Sequence, residues 1–170
     1  KDAFPYFGLS EEVFGRYWEV KWTLVGHISS GIVALLIGPF QFSKAFRTKY
    51  VKVHRLLGKT YLTAIVIGTI CSTYLAWTSG LAVHWTWALS LQMLALAWIC
   101  TATMAFIAIK RKHVLQHKEW MMRSYVVTFA FVTFRWMNEL QVVQELGKFV
   151  ERGPTEIWVS WVVPLFIAEM

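Results

Sequence analysis

A chain of 170 residues with 56% hydrophobic residues, ten tryptophans and a formal charge of +7 does not read as a soluble domain. Soluble domains carry ~45–50% apolar and ~25% charged residues, whereas here charged residues are 16% and mean hydropathy is +0.46. An aromatic share of 16% fits the tryptophan and tyrosine belts of membrane interfaces.

The positive charge does not point to nucleic acid, because of where it lies. Lys44, Arg47, Lys49, Lys52, Arg55 and Lys59 share one segment between apolar stretches; Lys110, Arg111, Lys112, Lys118 and Arg123 share another. These are eleven of the seventeen basic residues, and the same two segments hold one acid, Glu119. Both fall on one side of a membrane. The positive-inside rule makes that side cytoplasmic, with anionic headgroups as partners.

In chain order, residues 1–21 are mixed and aromatic and predict an outer interfacial segment, with a helix start at Ser10-Glu11-Glu12. Residues 22–140 predict four spans: roughly Lys21 to Phe42, His54 to Thr78, Val83 to Ile109 and Glu119 to Leu140. Residues 141–156 predict an outer polar segment ended by Gly153-Pro154, and residues 157–170 begin a candidate fifth span. One or both chain ends are expected to be cut short, since Lys1 opens without methionine and Met170 closes inside an apolar run. Cys71 and Cys100 fall in apolar spans and read as packing residues. The expected fold is all-α, a polytopic helix bundle in a bacterial inner membrane with its basic loops in the cytoplasm.

The topology sorts the five histidines by depth. His27 lies within the first span, nearer the outside, and His84 at the outer start of the third. His54 lies at the inner start of the second, and His113 and His117 before the fourth. An ionisable residue inside a span is a functional candidate, and His27 has no charge near it in sequence. Pairing His27 with His84 and His54 with His117 gives two bis-imidazole levels. At ~1.5 Å per residue they stand about 20 Å apart. That pattern suits two haem b groups, with Arg55 and Arg123 facing propionates at the inner one.

Small residues follow each histidine at helical spacing: Gly31, Ala34 and Gly38; Gly58, Gly68 and Ser72; Ala88, Ala95 and Ala102; Ser124 and Thr128. They leave room for a macrocycle, and they equally suit helix packing in lipid.

Three stretches, HISSGIVALLIGPFQF (His27 to Phe42), HRLLGKTY (His54 to Tyr61) and HKEWMMRSYVVTFAFVTFR (His117 to Arg135), resemble a mostly bacterial membrane family, domain of unknown function 2306. The resemblance covers about residues 22–140 and implies a four-helix membrane core. Its His/Arg pattern is similar to that of di-haem b cytochromes and ferric-reductase-like bundles. His84 lies outside these motifs.

Three functions are open on this reading. The first is a b-type haem protein moving electrons across or within the membrane, exchanging them with quinone or a partner subunit. The second is a non-catalytic subunit packed among other membrane protein subunits. The third is a metal-dependent membrane enzyme using His54, His113 and His117.

Overall fold

The computed structural model describes residues 15–170, apart from the side chains of Arg16 and Ala45. The expected helix start at Ser10 lies outside the described residues. Among them every regular element is helical. A 3-10 turn, Gly15–Val20, leads into α1 (Lys21–Phe42). A short α2 (Lys44–Lys49) precedes α3 (Val51–Leu75), which ends in a wide turn at Ala76–Gly80. Then follow α4 (Trp85–Lys110), α5 (Val114–Thr128), α6 (Ala130–Glu139), α7 (Gln141–Gln144) and α8 (Phe149–Glu169).

Local chemistry sets the breaks. The Ser43 hydroxyl accepts from the Phe46 N–H at 3.3 Å and starts α2. Lys112 takes a positive φ of 63°, and the His113 N–H reaches back to the Ala108 carbonyl at 2.9 Å, which closes α4. The ends of α1 and α4 and the starts of α3 and α5 therefore share one basic end of the bundle.

Three helices are long and apolar enough to cross a membrane: Tyr17–Phe42, Val51–Gly80 and Trp85–Lys110. Their outer faces are inverted relative to a soluble helix, with Leu36 and Ile70 each 66% exposed. The expected fourth span is two stacked helices that meet at Phe129. The Thr133 N–H still bonds the Phe129 carbonyl at 2.9 Å, so the ladder continues with a local irregularity. Lys118, Glu119 and Arg123 in its first half keep it less apolar than the other three.

The C-terminal region differs from the expected layout. Helix α8 begins at Phe149 and carries Gly153, Pro154 and Pro164 inside it, so Gly153-Pro154 does not end the polar segment. With 21 residues it is ~31 Å long. It lies along α4, α5 and α6. Near its start the Arg152 Nη1 donates to Asn138 Oδ1 of α6 at 2.9 Å; near its end Glu169 binds Arg123 of α5. It thus runs antiparallel to the stacked pair and covers both.

Close packing uses the small residues. A Cβ on Gly38 would stand 1.9 Å from the Tyr125 ring, whose hydroxyl donates to the Leu35 carbonyl at 3.1 Å. A Cβ on Gly68 would stand 2.6 Å from Ser30 Oγ and 2.7 Å from the Trp98 ring.

A buried polar knot ties α3, α4 and α5 together. The Thr128 hydroxyl donates to the Ser124 carbonyl at 2.8 Å, so its oxygen accepts from Trp98 Nε1–H at 2.9 Å and from the Tyr61 hydroxyl at 3.1 Å. The Ser124 hydroxyl then donates to the Tyr61 oxygen at 3.0 Å. Every member is satisfied, as an apolar medium demands. Replacing Tyr61 with phenylalanine is expected to lower stability by about 0.6–1.7 kcal/mol, the range of interhelical hydrogen bonds in lipid. Equilibrium unfolding in mixed detergent micelles measures it; an unchanged midpoint would mean that the knot is not a stabilising element.

Candidate functional site

A cavity of about 740 Å³ opens in the half of the bundle away from the basic end, between α1, α3, α4, α5 and α6. Cofactor pockets run ~300–1,000 Å³, so a planar macrocycle is within its capacity. Its walls are mostly apolar, including Leu91, Leu94, Trp98 and Phe131. Tyr17, Arg135 and Asn138 bring polar groups from the helix ends, and Ser72 and Thr128 bring hydroxyls from the interior. Ile28, Ile32, Phe131 and Val132 both line it and are exposed, so it opens sideways between α1 and α6.

His27 is the histidine on this cavity. Its Nδ1–H donates to the Gly68 carbonyl at 3.2 Å, an interhelical bond from α1 to α3. That bond fixes the tautomer and leaves a lone pair on Nε2. A ring so held is how proteins present imidazole to a metal, because the carbonyl orients the ring and raises its basicity. The Phe131 ring meets it edge-on with centroids 6.0 Å apart.

His84 is not brought to the cavity. It is exposed and caps α4, its Nδ1 accepting from the Thr86 N–H at 3.3 Å and the Thr86 hydroxyl at 2.7 Å. In that tautomer Nε2 carries the hydrogen, and the ring has no lone pair left for a metal. The His27–His84 pair is therefore not assembled in this structure.

At the basic end the other pair lies within electrostatic reach of each other. His117 acts electrostatically on His54, as do Arg47 and Arg55. The His117 Nδ1–H donates to the Ala105 carbonyl at 2.8 Å, and the His54 Nδ1 is buried without a partner. Arg55 is exposed. Arg123 is engaged by Glu169, with Nη2 donating at 2.7 Å and Nε binding the second oxygen, and it stacks on Trp120 at 4.7 Å. Its guanidinium fork is thus already occupied. His113 donates to Gln116 Oε1 at 3.2 Å on the surface. Among the described residues no three histidine, cysteine or acidic side chains gather as metal ligands.

The family described as "Predicted membrane protein (DUF2306)" matches residues 24–170. The chain belongs to the DUF2306 family. No curated protein and no solved structure matches it.

The match extends past residue 140 and takes in α8, so that helix is part of the DUF2306 unit. Polar residues that the sequence reading passed over sit there and beside the cavity. Arg152 and Glu156 form a buried ion pair on α8, and Arg152 also holds Asn138 of the cavity lining. Their i, i+4 spacing is the signal that marks them in the sequence. Gln41 is buried near the basic end with its Nε2 unpartnered. Of the small residues, Gly31, Ser72, Ala95 and Thr128 line the cavity. Ala34, Ala88 and Ala102 are buried in the helix packing, Gly38 receives the Tyr125 ring, and Gly68 receives Trp98 and Ser30.

Proposed function

We propose that this chain is a b-type haem protein that moves electrons within the bilayer, and that His27 is the residue that would hold one haem in the cavity. The observation that carries this reading is an intramembrane imidazole, anchored through Nδ1 to the Gly68 carbonyl, on the wall of a cavity of macrocycle size. Bound haem would supply a one-electron couple. The chain's own residues do the rest: His27 binds and orients, while Leu94, Trp98 and Phe131 exclude water. Arg135, near the mouth, offers a cation for a propionate. The sideways opening between α1 and α6 admits a lipid-soluble quinone as exchange partner. On the positive-inside rule the basic end faces the cytoplasm of a bacterial inner membrane, and the cavity lies toward the outer face.

A reduced-minus-oxidised absorption spectrum of the detergent-purified protein, with a pyridine haemochrome assay, tests this. One haem per chain is expected. No haem, from cells supplied with haem precursor, would reject the reading.

A second reading has its own observation. Between α1 and α3 lies an outward groove lined by Gly26, Ser29, Val33, Thr60 and Thr63. Small residues of this kind admit a neighbouring membrane helix closely. A subunit docked there would make the chain a structural member of a larger complex. Cysteine cross-linking from Ser29→Cys to a stoichiometric partner, in haem-free protein, would favour it.

A further inference from the structure

At the basic end, two buried nitrogens lie without hydrogen-bond partners among basic residues. Gln41 stands at the end of α1 and is 6% exposed. Its Oε1 faces α3 at Gly58, where a Cβ would lie 3.5 Å from it, and its Nε2 has no hydrogen-bond partner. His54 lies one turn before Gly58 on the same face of α3. Its Nδ1 is likewise buried and unpartnered. Both orphan nitrogens belong to the basic end, on the facing helices α1 and α3, and buried polar groups are nearly always paired.

The charges that reach His54 are those of His117, Arg47 and Arg55, all from basic residues. Such surroundings disfavour a cation as the missing partner. A neutral carbonyl would satisfy one donor and leave the field unmet. An oxyanion satisfies both, because each of its oxygens accepts hydrogen bonds and its charge is balanced by the two guanidinium groups.

We propose that Gln41 and His54, with Arg47 and Arg55 around them, form a binding site for a phosphate oxyanion at the basic end of the bundle. The Gln41 Nε2–H₂ and the His54 Nδ1–H are the buried donors. Arg47 and Arg55, closer to the surface, supply charge. Gly58 lets α1 and α3 approach closely at this point, because a Cβ there would already be in contact with the Gln41 amide. The site lies where α1 ends and α3 begins, at the level of lipid headgroups, so the phosphate of an anionic lipid reaches it directly. A free phosphate group offers the same oxygens. This inference does not depend on haem in the cavity.

Thermal unfolding of the full chain tests it, in detergent with inorganic phosphate and in nanodiscs of phosphatidylcholine with or without phosphatidylglycerol. Sodium chloride at matched ionic strength is the control. Wild-type protein is expected to gain several degrees from one of the two phosphate sources. A gain confined to phosphatidylglycerol nanodiscs identifies a lipid headgroup, and a gain with inorganic phosphate identifies a soluble phosphate. Gln41→Leu and Gln41→Glu are expected to abolish the gain, and Arg55→Ala to reduce it; Arg55 is exposed, so that variant retains the fold. Arg111→Ala, on the other basic turn, is expected to keep it. If Arg55→Ala and Arg111→Ala reduce the gain equally, the effect is diffuse surface attraction and the site is overturned. No gain from either source overturns it too.

Discussion

His27→Ala protein is expected to purify as a folded bundle without haem absorbance, and millimolar imidazole is expected to restore the spectrum. The fold survives because the side chain is only partly buried and its partner is not orphaned. The Gly68 carbonyl lies inside α3 and keeps its place in the helix ladder. Haem binding is expected to be lost on the proposed reading, because no other histidine lines the cavity. Losing a partner that only orients a ligand costs ~10–100-fold in metal affinity, and losing the ligand itself is expected to exceed that. His84→Ala is the matched control. It removes the cap of α4 and is expected to leave the spectrum unchanged. A His27→Ala protein with full haem absorbance, or a His84→Ala protein without it, would show that the cavity is not the haem site. Rescue by imidazole separates a missing ligand from a collapsed cavity, since only an intact cavity accepts the free base.

The helical spans were legible because a bilayer requires long uninterrupted apolar runs and the basic turns interrupt them plainly. Ile28 to Leu36 and Ile65 to Ile70 mark their helices whichever face looks inward. Which face does look inward was not legible, for the same reason. Lipid and core are both apolar, so the period that separates them in a soluble helix is weak here. Gly31 and Gly38 illustrate this. They look alike in sequence, seven residues apart, yet one lines a cavity and the other receives the Tyr125 ring. The histidines divide in a similar way. His27 stands out because an imidazole in a span needs a reason, whereas His84 sits at a helix start where a cap gives it one. The inner histidines share the basic end, where the surrounding chemistry includes Gln41, a residue type that carries no signal by itself. The start of α8 was hidden by Gly153-Pro154, which reads as a stop. Its early place in the helix leaves few ladder bonds to lose, and burial against Trp87 and Phe149 holds the backbone there.

Glu156→Ala is expected to lower stability by about 3–5 kcal/mol, the range for breaking a buried ion pair from one side. The two side chains are 13% and 6% exposed for Arg152 and Glu156, so water has little access to either. Without the carboxylate, Arg152 keeps the Asn138 amide oxygen at 2.9 Å and the Gly147 carbonyl at 3.2 Å. Those are neutral acceptors for a full charge. Glu156→Gln retains an acceptor of the same shape and is expected to fall between wild type and alanine; an equal loss in both variants would assign the whole effect to charge. Chemical unfolding in detergent gives these values directly, and a loss under 1 kcal/mol for alanine would mean that Arg152 finds solvent. The pair also reaches the cavity, because Arg152 holds Asn138 and Asn138 lines the wall near Arg135. A destabilised α8 should therefore loosen one side of the mouth while His27 stays on its α3 anchor. The expected signature is a protein that binds haem with the wild-type spectrum and releases it faster on dilution. A faster release in Glu156→Ala but not in Tyr61→Phe would tie the mouth of the cavity to α8 and not to the stability of the bundle as a whole.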